Sequence, residues 1–251
     1  MEPIIELRGV RKSFGAEEVL RSLDLSISKD AVSVIIGRSG SGKSVLIKHI
    51  IGLIRPDQGQ VLIEGQDIAR LDERSMASIR RKFGMLFQGS ALFDSMTVED
   101  NVAFPLHEHT RKPRREIRDI VSAKLAAVGL KDMEHKMPAE LSGGMRKRVG
   151  LARALALDPK IVLFDEPTSG LDPIMAATIN ELIVRTQAEF GATCVVISHD
   201  ILAAMSTGHR LFMLYEGRII AEGTPEEIQE WDDPVVQQFI HGRTQGPISI
   251  A

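Results

Sequence analysis

The chain has 251 residues and a net charge of -3 from 31 basic and 34 acidic side chains, which gives it no overall attraction for nucleic acid or anionic lipid. Its 43% hydrophobic and 26% charged content excludes a disordered chain, and the length suits one large α/β domain with an inserted lobe better than two independent folds. The single cysteine, Cys194, excludes an internal disulfide and fits a cytoplasmic location.

Residues 1–10 alternate apolar and polar side chains and lack the apolar core of a signal peptide, so they read as a strand. Residues 19–27 and 31–36 read as two more strands. The segment Gly37, Arg38, Ser39, Gly40, Ser41, Gly42, Lys43, Ser44 follows a strand and opens a helix predicted over 45–53, the context that makes a GxxxxGKS spacing meaningful. Its glycines let backbone N–H groups curl around phosphate oxygens, and the helix dipole favours the anion. Lys43 then neutralises the terminal phosphates and Ser44 offers a hydroxyl to Mg²⁺. The bland alternative is a glycine-rich turn. The longest apolar stretch, 45–54, contains Lys48 and His49 and is short of the ~20 residues that span a bilayer; any membrane span belongs to another chain.

A strand at 60–64 closes at Gly65, and the apolar stretch 84–87 ends in Gln88, whose amide can reach a metal or a water. From 89 to 158 the pattern becomes helical, with helices predicted over 117–128 and 146–157, and reads as an inserted helical lobe. The charged run 111–118 reads as a solvated helix start. Leu141-Ser142-Gly143-Gly144 precedes a helix; taken alone it reads first as a cap, with amides open to an anion as the second meaning. Strands at 160–164 and 192–197, separated by a helix over 174–190, complete the alternation of a parallel sheet. The first ends in Asp165 and Glu166, adjacent carboxylates costly to bury without a cation. Asp165 suits Mg²⁺ and Glu166 suits the attacking water; a strand end facing solvent is the plain alternative. His199 follows the last strand, where it can donate to a γ-phosphate.

Together the phosphate loop, Gln88, LSGG, Asp165-Glu166, Ser169-Gly170-Leu171-Asp172 and His199 resemble the ABC ATPase family over almost the whole chain. The resemblance implies a P-loop NTPase core with a mainly parallel, RecA-like sheet, an N-terminal antiparallel β subdomain and an inserted helical subdomain at about 89–158. The ATPase domain then covers 1–241, with a tail at 242–251. It also implies ATP and Mg²⁺, and a head-to-tail homodimer in which the LSGG segment of one subunit closes on ATP held by the other. Residue by residue, Phe14 matches the adenine-stacking aromatic, with a core phenylalanine as the alternative. Gly37 to Val45, each residue included, match the phosphate site, with Val45 the last of them. Ser142, Gly143 and Gly144 match the segment facing the second nucleotide, and Asp172 the residue coupling the two sites. Ser44, Gln88 and Asp165 match the metal ligands; Lys43, Gln88, Glu166 and His199 match the catalytic set. Met145 departs from the glutamine of most members.

The stretches 85–93, 101–106 and 108–110, Met145, and the tail around Asp233-Pro234, Gln238-Phe239 and Gly246-Pro247 are similar to the Mla-type phospholipid-transport branch. That branch implies an integral-membrane permease, a periplasmic MCE lipid-binding protein, a small STAS-domain protein, and a place at the cytoplasmic face of the inner membrane. A sterol, another lipid or an amino acid as cargo stays open. A soluble DNA-repair ATPase is disfavoured because no sustained heptad run separates Ser44 from Leu141, and a nucleotide kinase has no use for LSGG.

Overall fold

The computed structural model describes residues 3–248. The chain opens with a long antiparallel hairpin, β1 (Pro3–Phe14) and β2 (Glu17–Ser28). In β2, Leu23, Leu25 and Ile27 are buried while Asp24 and Ser26 are exposed, the period-two pattern of a sheet with one wet face. In β3 (Val32–Ile36) all five residues are buried, as in a strand covered on both faces. Next come α1 (Lys43–Ile50), β4 (Gln58–Ile63), β5 (Gln66–Asp67), α2 (Glu73–Arg80) and β6 (Phe83–Leu86). Three helices follow, α3 (Val98–His109), α4 (Arg114–Ala127) and α5 (Gly143–Ala154). The rest comprises β7 (Ile161–Asp165), α6 (Pro173–Phe190), β8 (Thr193–Ser198), α7 (Ile201–Thr207), β9 (Arg210–Tyr215), β10 (Arg218–Gly223), α8 (Pro225–Gln229) and α9 (Pro234–Ile240).

Two compact units result, one made of the chain up to Arg80 and from Val195 onward, the other of Arg81 to Cys194. In the first, an antiparallel sheet has the order β2-β1-β4-β5, and a second sheet runs β10-β9-β3-β8. There β3 is parallel to β9, from Ser33 opposite Arg210 to Ile36 opposite Met213, and β10 pairs antiparallel with β9. In the second unit β6 and β7 are parallel, Phe83 opposite Ile161 through Leu86 opposite Phe164. Its helices α3, α4 and α5 bury Val102 and Leu106, Val121 and Leu125, and Val149 and Leu151. This is the α/β P-loop NTPase class: a mainly parallel core, an antiparallel β subdomain and a helical lobe.

Several boundaries differ from expectation. The helix expected at 45–53 starts at Lys43, because Gly42 at φ 105° feeds the chain straight into the first turn, and it ends at Ile50, with Gly52 at φ 65° beyond it. The helix expected at 146–157 starts at Gly143, so the LSGG glycines lie inside its first turn rather than before it, and it ends at Ala154. The strand expected at 60–64 runs Gln58–Ile63. Residues 111–116 are exposed and Ile117 is buried, as a solvated helix start requires. The β9–β10 hairpin went unread, although Gly217 (φ 75°) between two apolar runs was its signal. Cys194 is fully buried in β8. Of the expected tail, residues 242–248 fold back on α9, where the Gln238 amide donates to the carbonyls of Arg243 and Ile248, each at 3.2 Å; residues 249–251 lie outside the described residues. Among the described residues no helix is long and apolar enough to cross a membrane.

Candidate nucleotide-binding and hydrolysis residues

The first unit carries Phe14, the phosphate loop and His199. Lys43 is 8% exposed and folds back across the loop, its Nζ donating to the carbonyls of Gly37 at 2.6 Å and Arg38 at 2.8 Å. The loop is closed by the Ser41 amide donating to the Arg38 carbonyl at 3.2 Å. Because α1 begins at Lys43, the amides of Ser44 and Val45 belong to its first turn, where no carbonyl four residues earlier is available within the helix. The Ser41 hydroxyl is buried with no hydrogen-bond partner, an orphan acceptor and donor that a phosphate oxygen would satisfy.

The β1–β2 hairpin reaches the same place. A Cβ added to Gly42 would meet Leu20 Cδ2 at 3.1 Å and the Val19 carbonyl at 3.3 Å, and Phe14 pairs with Glu17 just before them. Phe14 is 49% exposed, so it is not a core phenylalanine. Lys12 lies 5.6 Å from that ring and also binds Asp57 at 2.7 Å, which holds the Asp57 carboxyl below the usual carboxylate range. His199 is exposed between the end of β8 and Asp200, whose side chain caps α7 by accepting from the Ala203 amide at 3.0 Å.

The second unit carries the remaining residues. Four buried apolar residues of β7 deliver Asp165 and Glu166, both half-buried, and Glu166 takes the left-handed conformation at φ 48°. The Gln88 amide donates to the Ser169 hydroxyl at 3.3 Å, joining the segment after β6 to the segment after β7. Ser142 caps α5 by accepting from the Met145 amide at 3.3 Å, and the signature glycines rest against α6 and the turn before it: Cβ atoms at Gly143 and Gly144 would meet Leu171 and Met175. Asp172 caps α6, its carboxylate accepting from the Ile174 and Met175 amides at 3.0 Å each.

Three positioning contacts went unread in the sequence. Lys147, on α5 and 5% exposed, donates from Nζ to the Glu166 carbonyl at 3.2 Å. Burial pushes its amine below the ordinary lysine value, against the opposing pull of the Glu166 and Asp165 carboxylates. Arg153 donates to the carbonyls of Ser90 and Ala91 at 2.7 Å each, and both of those residues have positive φ. Asn101, fully buried, accepts from the Phe93 amide at 2.8 Å and donates to the carbonyls of Phe93, Met96 and Thr97. The segment after Gln88 is thus pinned at both ends. Beside it an apolar cavity of about 440 Å³ is lined by Phe83, Met85, Phe87, Phe93, Phe104 and Arg153.

A glycine-rich loop closed over by Lys43, a carboxylate pair ending a buried parallel strand and a serine-capped glycine helix are the features of an ATP-hydrolysing cassette. The family model described as "ABC transporter" matches residues 20–169, and the chain belongs to that family. It is an ATP-binding ATPase of the ABC class. Over 247 residues it is 48% identical to the "Probable ribonucleotide transport ATP-binding protein mkl" of Mycobacterium tuberculosis, covering 98% of this chain and 69% of that one. Over 245 residues it is 42% identical to the "Intermembrane phospholipid transport system ATP-binding protein MlaF" of Haemophilus influenzae, covering 98% and 93%. A solved dimer of the ATP-binding cassette MJ0796, in a post-hydrolysis state bound to ADP and Pi, matches with TM-score 0.80 and 34% identity over 88% of this chain and 98% of that one.

Proposed function

We propose that this chain energises an Mla-type phospholipid transporter, working as a head-to-tail homodimer on the cytoplasmic face of the inner membrane with ATP sandwiched between subunits. The match to the MlaF chain is nearly end to end in both directions and carries the cargo reading. Residues 85–93, 101–106 and 108–110 and Met145 support the same branch. The apolar cavity beside Gln88 is the surface proposed to receive the permease, and an MCE lipid-binding protein and a STAS-domain protein complete the assembly.

In this reading Phe14 stacks on adenine, and the residues from Gly37 to Val45 hold the phosphates with Lys43 as their counter-charge. Ser44, Gln88 and Asp165 hold Mg²⁺; hydroxyl, amide and carboxylate oxygens are the donors a hard cation takes. Among the described residues no group of three His, Cys, Asp or Glu side chains converges, so phosphate and water would complete the coordination, as Mg²⁺ prefers. When bound, the ion neutralises charge on the transferring phosphoryl group. Glu166 polarises the attacking water, His199 donates to the γ-phosphate, Ser142 to Gly144 face the nucleotide of the twin subunit, and Asp172 couples the two sites.

The 48% identical mycobacterial relative supports a second reading, a ribonucleotide load. Purifying the tagged chain in mild detergent from its own membranes, with every associated protein and small molecule identified by mass spectrometry, separates the two. A permease, an MCE protein and bound phospholipid are expected; a permease with bound nucleotide cargo and no lipid-binding partner would sink the phospholipid reading.

A further inference from the structure

We propose that Lys147 is the positioning residue of Glu166, a role resting on the reading of Glu166 as the hydrolytic carboxylate. Glu166 is a residue with a side chain held at φ 48°, and it precedes Pro167, which narrows its backbone choices further. Such a conformation persists only where surrounding groups enforce it. Its carbonyl accepts two donors, the Lys147 Nζ and the Ser169 amide, both at 3.2 Å, and the Ser169 hydroxyl accepts from Gln88. The peptide leaving Glu166 is thereby tied on one side to α5 and on the other to the Gln88 segment.

The choice of lysine is informative. A neutral donor would satisfy a carbonyl without the cost of burying an ammonium, and Lys147 is 5% exposed. A cation there gains from the carboxylates of Glu166 and Asp165, the two acids that act on it. Lys147 therefore fixes the backbone of Glu166 through its hydrogen bond. Lys147 touches no substrate in this assignment; it acts through Glu166.

The test is ATP turnover against ATP concentration, on the assembly purified from its membrane, for Lys147→Met, Lys147→Arg, Glu166→Gln and the Lys147→Met, Glu166→Gln pair. Lys147→Met should lower kcat roughly 10- to 100-fold with KM changed less than about twofold, the mark of a misplaced group rather than a lost binding contact. Lys147→Arg should restore most of the rate, and Lys147→Met should add no further loss to Glu166→Gln. Should Lys147→Met not fold, Lys147→Gln, which keeps a neutral donor, is measured in its place and should fall between Lys147→Met and Lys147→Arg. Unaltered kcat in Lys147→Met, or a loss in kcat matched by a rise in KM, would overturn the proposal while a slow Glu166→Gln leaves the underlying reading standing. Brisk turnover by Glu166→Gln would overturn that reading itself.

Discussion

Glu166 occupies a left-handed backbone position that a side chain pays to adopt, at the end of a strand whose four preceding residues are fully buried. Rigid delivery of a carboxylate in this way is what general-base chemistry needs, and Glu166→Gln keeps the shape while removing the charge. Its phosphate release should fall by about 10²- to 10⁴-fold with nucleotide binding retained, checked by single-turnover release against filter-bound ATP. Lys43→Ala removes the ammonium that folds over the Gly37 and Arg38 carbonyls and is proposed as the phosphate counter-charge, and should abolish tight ATP binding in a fluorescent-nucleotide titration. Cys194 tests burial instead of chemistry: its thiol, enclosed in β8, is pushed up to about 12, so at pH 8 the folded protein holds essentially no thiolate. A thiol reagent should leave it unmodified until urea unfolds the chain; fast labelling of folded protein would show that β8 is open to solvent.

At the scale of elements, close approach and buried clamps decide how β6, α3 and α5 hold the segment after Gln88. A Cβ on Gly84 would lie 2.3 Å from the Ala154 carbonyl, so only glycine lets β6 approach the end of α5 this closely. Asn101, fully buried on α3, satisfies one amide and three carbonyls of residues 93–97. Replacing it with Ala strands those groups, and thermal or urea unfolding should register a loss of about 2–3 kcal/mol. An unchanged midpoint would show that water substitutes for the side chain. Asp172→Ala removes the α6 cap and by that alone should cost about 1 kcal/mol.

At the scale of the molecule, the solved MJ0796 cassette is a dimer in its post-hydrolysis state, and the homodimer proposed for this chain sets LSGG of one subunit against the nucleotide of the other. Glu166→Gln with ATP should elute as a dimer in size-exclusion chromatography with light scattering, and the Lys43→Ala, Glu166→Gln pair should stay monomeric. A monomer in both would leave the Ser142 cap without the partner assigned to it.

The parts legible in the sequence were those whose meaning is local. The phosphate loop needs glycines and a lysine within eight residues, the β7 carboxylates need an apolar run directly before them, and the LSGG cap needs a serine beside its helix. Their spacing is set by backbone geometry alone, so the residue types and their order were enough to point to the family. Lys147, Arg153 and Asn101 were illegible because each acts on a backbone group rather than a recognisable side-chain partner. For Lys147 and Arg153 that group also lies far along the chain: Lys147 reaches Glu166 across 19 positions, and Arg153 reaches Ala91 across 62. The sequence by itself determined the family and named the groups proposed to meet ATP and water. The tertiary structure decided how rigidly they are held, because burial and hydrogen-bond direction exist only once distant segments pack.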